Sequence, residues 1–511
     1  MRGMRKLLRN VMTVPPETSG RNIREVNILI DHDKIVEVKP GAEFTPATGE
    51  FEDIDCRGLL AIPGLINGHF HSSTNLMKGR LEGLPLELFM LHEVPPLGGS
   101  LPPDRMVYVR TMLGAIEMLK HGITSVQDDV FFVPIPSPGN IAAVMSAYSD
   151  SGMRATVALD QPNIVEYEKY PFLKDLLPAD RRRRFEMAPV PETAELLALY
   201  DYLIDNWNCT QDGRIRAAVS CSAPHRVTED YLGSLSDLSR NLGLPFYMHI
   251  LETKTQRVFG DSRFGRSILQ YVHDRDVLDQ RCNVIHGIWL DDADISTIAE
   301  AGSVIVHNPV CNLRLGSGIM PFRRIRDAGI PVCLGTDEAL ADDSINLWTT
   351  MKIAGLIHNI TDPEYRNWPV ADEILACAHE GGARAMGFEN LIGRLAPGYQ
   401  ADIALLDLNE IAFTPLNDVC RQLVYCENGS SVRMTMVAGR ILVREGRVCS
   451  VDEEGIKEEA REFALAFADD LTVSQKTAAE LEPLYREMYL RAAATDVGMN
   501  RWGNCEHRND R

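Results

Sequence analysis

The chain has 511 residues, 45% hydrophobic and 24% charged, with 72 acidic side chains against 52 basic ones and a formal charge of −20. The apolar fraction excludes intrinsic disorder, and no run reaches the roughly eighteen apolar residues of a membrane span. The acidic balance excludes a nucleic-acid polymer as partner, since such binders need basic patches, but leaves room for a small neutral or cationic ligand.

Taken in chain order, the basic start MRGMRKLLRN lacks the apolar stretch of a secretory signal. Eleven cysteines lie scattered without a C-x-x-C pair. That argues against a disulfide framework or a cysteine zinc site, and for a reducing cytoplasm. Residues 1–57 hold short extended segments (28–30, 35–38), and residues 396–450 repeat that texture (402–406, 432–437, 440–443). Together they predict one small β-sandwich domain built from both chain ends.

Between them, residues 58–395 alternate short apolar runs with helical stretches such as Asp104–Lys120. The runs are 60–66, 123–126, 154–159, 215–220, 245–250, 283–285, 303–306 and 330–334. Eight such βα repeats predict an α/β fold of the (β/α)8 TIM-like barrel type. A doubly wound open sheet is the alternative, but no Gly-rich nucleotide loop follows the first run. Residues 160–193, proline-rich and carrying four arginines at 181–184, exceed what a barrel needs. They read as a solvated loop or, more sharply, as a lid or subunit contact. Residues 451–511 read as helical to about 495 and then as a polar, disordered tail.

The chemistry gathers at the ends of the runs. The first leads into Gly68-His69-Phe70-His71, and residues two apart on a strand share a face, so both imidazoles can reach one metal ion. His249 closes the fifth run and Glu252 follows it; His286 closes the sixth, His307 the seventh, and Asp337 follows the eighth. Barrel active sites form at these C-terminal strand ends.

With PGLINGHFH, HILE, VIHG, HNPVCNLRLGSGI, LGTD and the closing GRLAPGYQADIALLD in place, the chain resembles the amidohydrolase superfamily over about residues 5–450. Within it the likeness is to the branch of cytosine, guanine and S-adenosylhomocysteine deaminases and s-triazine hydrolases. The resemblance implies one divalent metal ion per chain, Zn²⁺ before Fe²⁺, held by His69, His71, His249 and Asp337. It also implies Glu252, His286 and Asp337 as catalytic groups. Asp337 would take a proton from water, His286 would bond the developing oxyanion, and Glu252 would carry a proton to a ring nitrogen and then to the leaving amine. The fourth-run segment IRAAVSCSAPH has no lysine to bridge a second ion, which favours a mononuclear site.

Candidate substrate contacts are His225 in APHRV, His307, Phe89 in ELFML and Glu338 directly after LGTD. Phe89 stands where relatives that bind adenosine-like substrates often carry tryptophan. Glu338, Asp342 and Asp343 add acid near the mouth, which suits a cationic substrate. The implied function is a metal-dependent aminohydrolase that removes the amino group of a small N-heterocycle or cyclic guanidine. The alternative is hydrolysis of another C–N or C–Cl bond: N-dealkylation, dechlorination or cyclic amide opening. A homodimer without membrane attachment is implied by the same resemblance.

Overall fold

A computed structural model describes residues 5–15, 22–41, 51–94 and 101–503. Eight short parallel strands form its centre: β1 (Leu65–His71), β2 (Ile123–Phe131), β3 (Arg154–Asp160), β4, β5 (Phe246–Ile250), β6 (Cys282–His286), β7 (Val304–His307) and β8 (Val332–Leu334). They are buried along nearly their whole length and rich in Val, Ile and Ala, as strands covered on both faces must be. β4 is broken at Ala218, so that Ile215–Ala217 pairs with β3 and Val219–Ser220 with β5. β8 pairs with β7, and beyond Gly335-Thr336 the chain resumes as Asp337–Glu338, which pairs with β1. The ring of parallel neighbours therefore closes, and the fold is a (β/α)8 barrel.

One expectation needs correcting at the start of that ring. The apolar run 60–66 is two strands, not one: Leu59–Pro63 belongs to the outer β domain, and the barrel strand begins at Leu65. The break is at Gly64, where a Cβ would lie 2.2 Å from the Thr124 side chain. Only glycine lets the two strands meet there.

The β domain takes Arg5–Thr13, Arg24–Asp31, Lys34–Lys39, Phe51–Asp55 and Leu59–Pro63 from one end of the chain. Ile403–Asp407, Val432–Val437, Arg440–Arg444 and Arg447–Val448 come from the other. All nine pair in one sheet. Ile35 and Met436, from strands far apart in that sheet, share one apolar core, so the sheet folds over on itself in two layers.

The domain is tied to the barrel by a buried ion pair. Arg154, at the start of β3, donates to Asp402 at 2.9 and 3.3 Å, with both side chains almost fully buried. Removing one partner of such a pair leaves an uncompensated charge. Arg154→Met is therefore expected to destabilise the protein by about 3–5 kcal/mol in chemical denaturation. A loss below 1 kcal/mol would show that Asp402 finds another partner.

The C-terminal region closes over the barrel mouth. Helix Ala468–Ala494 buries Leu481, Tyr485 and Met488 against Leu88 and Leu91 of helix Leu86–Glu93, and against Tyr170 and Leu173 of the 160–193 segment. Arg181, from the arginine run, pairs with Glu480 of that helix at 2.7 Å. The expected disordered tail is in part ordered: Trp502 packs edge-on against Trp289, and the Arg501 carbonyl accepts from Ile319 N at 2.8 Å. The remainder of that tail, 504–511, lies outside the described residues. Among the described residues no helix is long and apolar enough to cross a membrane.

Candidate active site

Four side chains from two strand ends and the β8 extension converge at the C-terminal rim. His69 Nε2 lies 3.2 Å from His249 Nε2 and 3.5 Å from Asp337 Oδ1, and His71 Nε2 lies 3.6 Å from the same oxygen. A tetrahedral ion with bonds of about 2.0–2.1 Å to its ligands needs donor separations near 3.3–3.4 Å. These three separations bracket that value, and His69, His71 and Asp337 form one grouping able to hold an ion, with His249 joined to it through His69.

Their hydrogen bonds point the same way. His249 Nδ1 donates to the Ser222 carbonyl at 2.7 Å, and His71 Nδ1 donates to the Asp129 carbonyl. Each bond fixes the tautomer that leaves an Nε2 lone pair aimed at the centre, the usual outer partner of a ligating histidine. Burial pushes His69 down to about 4 and His249 well below its ordinary value, so both rings are neutral donors. Burial alone would raise Asp337, but the imidazoles of His69, His286 and His71 outweigh it and hold the carboxyl well below its usual range.

The backbone is bent to make this cluster. Ser222, Leu251, His286 and Asp337 all have left-handed φ, between 53° and 72°, just past or at strand ends. Such conformations cost about 1–3 kcal/mol each in non-glycine residues and persist only where their surroundings enforce them. Gly335 gives the room: a Cβ there would lie 2.4 Å from Asn308 Oδ1 and 2.8 Å from His69 Cβ.

Two further groups stand over the cluster. His286 Nε2 lies between Glu252 Oε2 at 3.5 Å and Asp337 Oδ2 at 3.6 Å. Its Nδ1 pairs with the Asn312 side-chain amide at 2.9 Å and lies 3.4 Å from Asn308 Nδ2, which fixes the ring; an amide N–H given to Nδ1 leaves the imidazole proton on Nε2. Asn308 Nδ2 donates to Asp337 Oδ2 at 3.2 Å. Burial pushes the Glu252 carboxyl up to about 7, against the pull of His286. A carboxyl of that kind exchanges its proton near neutrality.

Above them opens a cavity of about 360 Å³, bounded by Met90, Phe131, Val165, Tyr170 and Phe185 as well as the polar cluster. The 160–193 segment thus forms one wall of the site. Of the expected substrate contacts, only Glu338 lines this cavity. The other three stand behind its wall, each because of the way neighbouring residues face. At the end of β7, Asn308 turns inward, while His307 turns outward to His358, with Nε2 atoms 3.2 Å apart, and to Phe322. In the turn Pro224–Arg226, Arg226 faces the cavity and His225 packs on Phe259. On helix Leu86–Glu93 the cavity face is Leu86 and Met90, four apart, and Phe89 packs directly behind it, in an apolar cluster with the cavity-lining Leu86, Cys311 and Leu315.

Sequence reasoning also passed over Asp129 and Asp160, which end or nearly end β2 and β3. Asp160 reaches the same ligand grouping as His71 and His249, and Asp129 accepts from Ser220 Oγ at 2.9 Å. The strand-end rule applied to QDDVF and VALD would have found both.

The C-terminal tail reaches Glu252 indirectly. Trp502 Nε1 donates to the Gly316 carbonyl at 2.9 Å, Trp289 Nε1 to the Ser317 carbonyl at 2.8 Å, and Ser317 Oγ to Glu252 Oε1 at 3.5 Å. Trp502→Ala is expected to loosen this chain and lower kcat by about ten-fold, with KM and metal content little changed, since small misplacements of reacting groups are costly. A lower Tm with unaltered kcat would reduce Trp502 to a packing role.

An imidazole–carboxylate cluster at the rim of a closed barrel defines a class, that of metal-dependent hydrolases. Comparison with known proteins names the family: the Amidohydrolase family model matches residues 60–442, and the chain belongs to that family. The chain is 28% identical over 458 residues to a 5'-deoxyadenosine deaminase of Methanosarcina mazei, covering 90% of this chain and 97% of the relative. Its fold matches an adenosine deaminase from Xanthomonas campestris with bound zinc (TM-score 0.78, 24% identity, 91% of this chain and 98% of the other). It matches equally a triazine hydrolase from Arthrobacter aurescens (TM-score 0.78, 23% identity, 90% and 100%). The protein is a hydrolase of carbon–nitrogen bonds.

Proposed function

We propose that the protein is a metal-dependent aminohydrolase, in which water displaces the amino group of an amino-substituted N-heterocycle and ammonia leaves. The observation that carries this reading is the pairing of Glu252 and His286, 3.5 Å apart, directly over the His69–His71–His249–Asp337 cluster. An ammonia leaving group needs a proton at the moment of departure, whereas chloride does not, so a buried proton carrier beside the cluster favours deamination over dechlorination.

His69, His71, His249 and Asp337 would hold one ion, and neutral imidazoles with a carboxylate suit Zn²⁺. When bound, that ion supplies Lewis acidity and lowers the pKa of a coordinated water towards neutrality. Asp337 Oδ2, already hydrogen-bonded by Asn308, takes the proton of the attacking water. Glu252 gives its proton to the ring nitrogen next to the reacting carbon, which makes that carbon electrophilic. His286 Nε2, held by Asn312, hydrogen-bonds the oxygen on which charge develops. Glu252 then relays a proton from that oxygen to the departing amine. The apolar wall of Met90, Phe131 and Phe185 keeps bulk water out of these transfers.

The likeness to a 5'-deoxyadenosine deaminase makes adenine-type nucleosides the first substrates to try. A cytoplasmic homodimer completes the reading: the ten free cysteines among the described residues suit a reducing compartment, and the dimer rests on the family likeness. The test is ammonia release from the zinc-loaded protein across adenine nucleosides, aminopyrimidines, aminotriazines and cyclic guanidines. Ammonia equimolar with substrate consumed is expected in at least one class. Chloride or alkylamine release with no ammonia would install the triazine-hydrolase type of reaction instead.

A further inference from the structure

Two carboxylates beside the cavity have no part in the chemistry above. Glu338 follows Asp337 directly and lines the cavity; Glu93 ends helix Leu86–Glu93, one residue before the cavity-lining Val94. They are 9% and 8% exposed, and they face each other within hydrogen-bonding reach. Yet both oxygens of Glu93, and Oε2 of Glu338, have no donor among the described residues. A proton shared between the two carboxyls would satisfy two of these three oxygens and still leave one Glu93 oxygen bare, so the pair calls for a group that brings more than one N–H or O–H.

The rest of the wall says which sign that group carries. Leaving aside Glu252 as the proton carrier, five carboxyl groups line the cavity, against Lys169 and Arg226, and Lys169 is already paired with Glu166 at 2.7 Å. A divalent ion at the histidine cluster offsets only part of that excess. A hydroxyl offers a single proton and would leave one carboxylate uncompensated. A cationic nitrogen offers two or three N–H donors and the opposite charge.

We propose that Glu93 and Glu338 form a cation subsite, which holds an ammonium or amidinium-type group carried by the substrate beside its reacting ring. The proposal rests on the aminohydrolase reading for where that ring lies, and it narrows the substrate to amine-bearing N-heterocycles.

The test offers the zinc-loaded enzyme matched pairs that differ only in this group: 5'-amino-5'-deoxyadenosine against adenosine, and an aminoethyl- against a hydroxyethyl-substituted aminotriazine. Ammonia release gives kcat/KM, and the shift in Tm reports binding of the same compounds. The amine member is expected to be preferred at least about ten-fold in one pair or more, the scale of a charge-assisted hydrogen bond. Glu93→Gln should bring that ratio towards one. Turnover or binding of both members with no preference, or a preference intact in Glu93→Gln, overturns the subsite and leaves the aminohydrolase reading standing. An absence of ammonia release from every one of these compounds and from every compound in the wider panel overturns both.

Discussion

Glu252→Gln is expected to lower kcat by about 10²–10⁴-fold while the protein stays folded and retains its metal. The substitution keeps the shape of the side chain and its contact with Ser317, so Tm should be unchanged within about a degree or two for a chain of this size. What it removes is the exchangeable proton. Glu252 is buried, its carboxyl lies near neutrality, and His286 Nε2 is 3.5 Å away. Steady-state kinetics beside metal analysis of the same preparation checks the expectation. Full activity in the variant would remove Glu252 from the mechanism, and lost activity together with lost metal would make it a support of the cluster instead.

His69→Ala acts one step earlier and should have a still larger effect. His69 is the common member of two ligand groupings, one with His71 and Asp337, the other with His249 and His286. Losing an outer partner of a metal ligand typically costs about 10–100-fold in affinity or activity, and losing a ligand itself should exceed that. The variant is expected to come off a desalting column without metal and with turnover below detection. The comparison with Asn312→Ala is informative: there metal should remain, because the Asn312 side chain bonds His286 and not one of the four ligands, whereas turnover should fall about ten-fold or more. Metal retained in His69→Ala would mean that the ion is held by a different set of donors.

The parts of this site that were legible in the sequence share a property. His69, His71, His249, His286 and Asp337 sit at fixed offsets from apolar runs, and a barrel brings all such offsets to one rim. The β domain was legible too, because turn residues punctuate both of its halves. Less legible was which of two neighbours turns towards the centre: Asn308 rather than His307, Arg226 rather than His225, Met90 rather than Phe89. Past the last paired residue of a strand, as at Asn308 and His225, the alternation of faces no longer holds, and the left-handed turns at Ser222, Leu251, His286 and Asp337 show the backbone leaving it; on the helix, Phe89 and Met90 are both apolar, and the pattern alone does not say which one faces the cavity. No local pattern announces those turns, because the surrounding packing enforces them. The tail was misread for a related reason. Arg501 and Trp502 look like solvated residues in sequence, and only the partners supplied by Trp289 and Ile319, some two hundred residues away, order them.

The most direct test of the account is a metal titration of catalysis. The protein is stripped with a chelator and dialysed, and ammonia release from an accepted substrate is followed as Zn²⁺ is added back. A single-ion site gives no turnover without metal, a linear rise, and a plateau at one equivalent per chain. Undiminished turnover of the stripped protein, or a plateau only at two equivalents, would contradict a single-ion site built from His69, His71, His249 and Asp337.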